Sequence, residues 1–157
     1  MSRKRTVRPG SGTCAARAGR LTPFSRFRPK VDAAIVAPVR TPVARFLGAL
    51  AQVPVETLAA TVVREVMART GIDPMLVEDI VFAQSYASGE TPCVGRWAGL
   101  AAGLPIEVPG MQLDRRCGGG LQAIVNACML VQTGAADVVM AGGVESMSNI
   151  EYYSTDM

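Results

Sequence analysis

From residue 31 onward, short continuous apolar runs alternate with stretches in which apolar residues recur every three or four positions. VDAAIVAPV (31–39) is a run of strand length closed by Arg40, Thr41 and Pro42, and it predicts a buried strand. Residues 55–70 place Val55, Leu58, Ala59, Val62, Val63 and Val66 at helical spacing, with Gly71 as the C-cap candidate. A second strand is expected in VEDIVFAQSYA (77–87), a second helix in VGRWAGLAAGL (94–104), and a third strand in MQLD (111–114). Leu121, Ile124, Val125 and Cys128 follow at i, i+3, i+4 and i+7, so they predict a third helix that buries this stripe and stops near Gly134. ADVVMAGG (136–143) reads as a last strand. This rhythm of strand and helix implies an α/β fold with a largely parallel sheet.

Composition sharpens the division of the chain. The 157 residues are 49% hydrophobic and 18% charged, which suits one domain with an ordinary core. Nine of the sixteen Lys and Arg residues precede residue 31, with no acid among them, and this leaves seven bases against thirteen acids in the remainder. Residues 1–31 are therefore expected to be a basic, disordered extension, and residues 32–157 the folded domain. The extension lacks the apolar core of a secretory signal. Its Arg-rich, acid-free composition permits an organelle transit peptide, although its prolines and glycines oppose a long amphipathic helix. It also permits a basic nucleic-acid arm, although Phe24 and Phe27 make a thin platform; an extension with no nucleic-acid partner is the expectation. No apolar run is long enough to cross a membrane as a helix.

The four cysteines (Cys14, Cys93, Cys117, Cys128) do not suggest a disulfide framework. Cys117 and Cys128 on one helix would stand ~16 Å apart at ~1.5 Å per residue, whereas a disulfide needs less than ~7 Å between Cα atoms. There is no CxxC and no histidine, so no metal site is expected, and a reducing, cytoplasmic setting fits best.

The chemistry concentrates in RRCGGGLQA (115–123), where Cys117 meets three glycines at a helix start. A helix N-terminus offers unpaired N–H groups and a partial positive charge, both of which favour a thiolate. Glycines 118, 119 and 120 would then be clearance, letting a substrate or another backbone approach the sulfur. The alternative is a structural cysteine beside a tight strand-to-helix turn. Cys93 also precedes a helix but lacks the cleared space, and Cys128 belongs to the expected core face.

The stretch DRRCGGGLQAIVNACMLVQTGAADVVMAGGVESMS (114–148) resembles the region around the acyl-accepting cysteine of the thiolases. IVAPVRTPVARFLGAL (35–50) is similar to their first strand and its turn, GLPIEVPGMQLDRRC (103–117) to their approach to the cysteine, and AGGVESMS (141–148) to a signature after the next strand. The resemblance implies the layered αβαβα thiolase fold, of which this chain would be the N-terminal half. It implies an acyl-CoA C-acyltransferase that forms or cleaves 3-ketoacyl-CoA, with Cys117 as nucleophile and coenzyme A thioesters as substrates. No permanently bound cofactor is expected, and complete members would form homo-oligomers. Members usually carry Asn three residues before the cysteine and Ser two residues after it; here these are Asp114 and Gly119. The activating histidines and a second cysteine would come from the C-terminal part of a complete member, so this chain is expected to be inactive alone. A non-catalytic remnant that at most associates with thiolase subunits is the alternative. A decarboxylating condensing enzyme of the same superfamily is a third, disfavoured by AGGVESMS.

Overall fold

The computed structural model describes residues 32–156, so the basic segment 1–31, with Cys14, Phe24 and Phe27, lies outside the described residues. Three helices and three strands alternate along the chain: α1 (Val55–Thr70), β1 (Asp79–Ala83), α2 (Val94–Ala102), β2 (Met111–Leu113), α3 (Gly119–Thr133) and β3 (Val139–Gly143). α1 and α3 stop where the sequence predicts, at Gly71 and Gly134, whereas α2 ends at Ala102, two residues before the expected 104. Gly71, Gly103 and Gly134 take left-handed conformations at φ 60°, 91° and 68°, and their N–H groups return to carbonyls of the last turn.

The sheet order is β2-β1-β3 and both pairings are parallel, with Val81 opposite Met111 and Phe82 opposite Gly142. Central β1 is buried from Ile80 to Ala83, as expected of a parallel strand covered on both faces. Ile80 and Phe82 point to one side and pack with Ala59 and Val63 of α1 and Val94 and Ala98 of α2. Val81 and Ala83 point to the other and meet Ala123 of α3. The alternation of a single strand thus sorts the helices into two layers.

Two expectations fail here. Residues 31–39 were expected as a buried strand, yet described residues 32–39 join no ladder, and Ile35 and Val36 are 67% and 71% exposed. Their composition suits a strand, but a strand also needs a neighbouring backbone, and β-propensity reports that fit more than an intrinsic preference. A cavity of about 850 Å³ is lined by this segment, including Ile35 and Val36, and by β3, including Met140 and Gly142.

The buried face of α3 also differs. Gly119, Ala123 and Ala127 are buried, whereas Leu121 and Val125 of the expected stripe are 70% and 41% exposed. Cys128, expected in the core, is half-buried on the cavity wall. Small residues let α3 lie close on β1, and that close seating turns the larger side chains outward.

Candidate active site

The C-terminal ends of the three strands lie on one side of the sheet, and the end of β2 leads to Cys117. Parallel pairing sends all of them in one direction, and ligand sites in open α/β sheets form at that end. Asp114 follows β2 directly. Residues Arg116–Gly118 then make one 3₁₀ turn, and α3 starts at Gly119 with Gly118 as its N-cap. Cys117 therefore sits one residue before the N-cap rather than inside the first helical turn, and it is exposed.

The residue before the thiol is strained. Arg116 has φ 47°, a left-handed conformation that costs a non-glycine residue about 1–2 kcal/mol. Its N–H donates to Asp114 Oδ1 at 2.8 Å, and its guanidinium Nη1 lies 2.8 Å from Asp114 Oδ2. Asp114 thus keeps the side-chain acceptor that asparagine would offer at this position and adds a charge that pairs with Arg116.

The glycines divide their work differently from expectation. A Cβ on Gly119 would lie 2.7 Å from the Ala83 methyl, so this glycine makes room for β1, not for a thioester. A Cβ on Gly120 would meet nothing within 4 Å, and one on Gly118 would touch only the Arg115 side chain at ordinary distance. Glycines 118 and 120 thus leave their β-carbon positions open, whereas at Gly119 the group that approaches is the Ala83 side chain of β1.

The segment AGGVESMS proves to be a junction. Gly142 accepts the edge of the Phe82 ring, which would lie 2.8 Å from an added Cβ. The Glu145 carboxylate accepts from the N–H groups of Ser85 at 2.8 Å and Tyr86 at 3.4 Å, while Ser148 Oγ accepts from the Leu47 N–H at 2.9 Å. The sequence pointed to Arg116 only as positive charge beside the thiol and to Glu145 only as part of the AGGVESMS motif; nothing in it marked Ser85.

Cys93 is held differently from Cys117. It occupies the N-cap of α2 at φ 63°, and its thiol donates to the Gly110 carbonyl at 3.1 Å. Iodoacetamide is expected to modify Cys117 at least threefold faster than Cys93 or Cys128 at pH 7, because accessibility limits alkylation of half-buried thiols. Peptide mass mapping at early times checks this, and Cys93 reacting first would contradict it.

Residues 33–157 match the family described as thiolase, N-terminal domain. The chain belongs to the thiolase family. It is 39% identical over 121 residues to an acetyl-CoA acetyltransferase of Pseudomonas aeruginosa, a match covering 77% of this chain and 31% of that protein. A steroid 3-ketoacyl-CoA thiolase of Mycobacterium tuberculosis is 40% identical over 131 residues, with 83% of this chain and 32% of that protein covered. The crystal structure of the Bacillus anthracis acetyl-CoA acetyltransferase superposes with a TM-score of 0.72 at 38% identity, covering 74% of this chain and 30% of that one. This thiolase chain therefore spans about a third of the length of the curated relatives it matches, and its α/β layers are the N-terminal part of the thiolase fold.

Proposed function

We propose that the chain provides the acyl-accepting portion of an acyl-CoA C-acyltransferase, with Cys117 as the nucleophile. The observation that carries this is the exposed thiol in the turn between β2 and α3, at the C-terminal end of a parallel sheet. In this mechanism the Cys117 thiolate attacks the carbonyl carbon of an acyl-CoA. The tetrahedral intermediate expels coenzyme A as its thiolate and leaves the acyl group on Sγ. The backbone N–H of Cys117 contributes to the oxyanion hole that stabilises the transient negative charge. A second acyl-CoA, deprotonated at its α-carbon, attacks the acyl carbonyl, which frees the Cys117 thiolate and yields 3-ketoacyl-CoA. Degradative members of the family run the same steps in reverse.

The α-proton needs a base near neutral pH, and the chain contains no histidine. In this reading the base comes from the rest of a complete thiolase, and the chain alone takes up an acyl group without completing turnover. The exposed Leu121, Val125 and Met129 on α3 support the same view, since a helix apolar on this side as well suits cover by the facing half of the fold. Homo-oligomers and a cytoplasmic setting are part of this proposal for the complete enzyme.

Incubation with isotopically labelled acetyl-CoA, followed by intact mass and peptide mapping, tests it. One acetyl group is expected on Cys117, none on the Cys117→Ala variant, and no acetoacetyl-CoA from either. The second reading is a remnant that only associates with thiolase subunits; the absence of histidine from the 157 residues favours it. Absence of any Cys117 adduct from the folded chain would decide for the remnant.

A further inference from the structure

We infer that Arg116 and Glu145 are positioning residues for Cys117, joined through the main-chain N–H and carbonyl of Ser85 into a relay that fixes the backbone immediately before the sulfur. This deepens the proposed function and rests on Cys117 being the nucleophile. The need for such a relay comes from the backbone: Arg116 is left-handed at φ 47° without being a glycine, so other contacts must hold it there. Asp114 supplies one, from the end of β2. A second comes from the loop after β1, where the Ser85 carbonyl accepts from Arg116 Nη1 at 2.8 Å and the Tyr86 ring lies 5.6 Å beneath the guanidinium carbon.

That loop would be a poor anchor unless it were itself held. Glu145, two residues beyond β3, takes the Ser85 and Tyr86 N–H groups on its two carboxylate oxygens. Buried Gln84 steadies the same turn by donating from Nε2 to the Tyr86 carbonyl at 3.1 Å. Each strand of the sheet thus sends one restraint to the residue preceding the thiol: Asp114 from β2, Ser85 from β1 and Glu145 from β3. Arginine suits the central place, because its Nη1 serves both a carboxylate and a carbonyl while the planar guanidinium lies over an aromatic ring, which an ammonium point charge does less well.

The energetics separate this role from a general structural one. The contacts are exposed, and exposed ion pairs contribute only about 0–1 kcal/mol to stability. Their loss should leave the fold intact and alter the local geometry. The orientation of the Cys117 N–H and Sγ follows from the peptide plane that Arg116 sets, so the effect is expected at this thiol alone.

The test measures alkylation rates of the three described cysteines in the full 157-residue chain and in its variants, together with acetyl uptake from labelled acetyl-CoA. Glu145→Ala and Arg116→Met are expected to slow modification of Cys117 at least threefold and to leave Cys93 and Cys128 unchanged. Glu145→Gln should recover most of the rate, because it keeps an acceptor oxygen for the Ser85 N–H. Arg116→Gly should stay slow, since glycine relieves the strained φ but removes the fork. Unchanged Cys117 rates in Glu145→Ala and Arg116→Met would overturn the relay, as would equal changes at all three cysteines, which signal general loosening. Failure of the unsubstituted chain to take an acetyl group on Cys117 would instead overturn the proposed nucleophile, whatever the ratios between variants.

Discussion

Gly119→Ser is expected to destabilise this chain by about 1–3 kcal/mol, the usual cost of forcing extra atoms into a packed contact, even though serine is the residue thiolases usually carry there. Gly119 is buried at the first turn of α3, and the β-carbon of any other residue would lie 2.7 Å from the Ala83 methyl. The next atom in its way is Ala83 Cα at 4.0 Å, which is ordinary contact. Removing the methyl should therefore admit the serine. Ala83→Gly alone is expected to cost roughly 0.5–1 kcal/mol for glycine in a strand, and the double variant should recover most of what Gly119→Ser lost. Gly119→Val should be the worst of the series, because its branched β-carbon meets the same wall with a second methyl. Urea midpoints for the single and double variants measure the coupling. Additive losses, with no recovery in the double variant, would show that α3 can move off β1 and that the contact does not set the helix position.

The largest loss is expected from Phe82→Ala, at about 3–5 kcal/mol for truncating a buried phenylalanine. Phe82 is 2% exposed and stands on the central strand between α1, α2 and the glycine end of β3. Its ring edge fills the space that Gly142 leaves opposite it in the ladder, so neither partner can change alone. Domains of this size are stable by only about 5–15 kcal/mol, so the variant should lose much of its cooperative unfolding transition. Phe82→Leu keeps most of the volume and should cost less than half as much. Gly142→Ala places a methyl 2.8 Å from the ring and should cost about 1–3 kcal/mol by crowding. Denaturation curves distinguish these, and a Phe82→Ala loss below about 1 kcal/mol would mean that the ring is not the centre of the core.

The two effects concern the same few ångströms. Phe82 and Ala83 are consecutive on β1, facing opposite layers, and the next residues, Gln84 to Tyr86, form the loop that holds Arg116. Core packing on one side and the close seat of α3 on the other therefore set where that loop begins. A change in either is expected to reach Cys117 through Ser85 before it is felt elsewhere at the surface.

Much of the architecture was legible in the chain itself. Helical spacing located α1, Gly71 and Gly134 marked the ends of α1 and α3, and the run 77–87 contained the central strand β1. These features depend on residues at most a few positions apart, so their physics is written in the local sequence. The thiolase motifs around Cys117 and AGGVESMS were equally visible, and the family match bears them out.

Other features needed the tertiary structure. Periodicity assigned the large residues Leu121 and Val125 to the buried side of α3, whereas the fold buries Gly119, Ala123 and Ala127, because the distance between helix and sheet, not hydrophobicity alone, decides which stripe fits. Residues 31–39 have the composition of a strand, but pairing requires a partner backbone that their own sequence cannot supply. Arg116, Ser85 and Glu145 meet across separations of 31 and 60 residues, through hydrogen bonds to main-chain groups that leave no mark on side-chain pattern. Local spacing determined the elements and placed the thiol at a helix start; the close contact of Gly119 with Ala83 and the long-range bonds around Arg116 decided how that thiol is held.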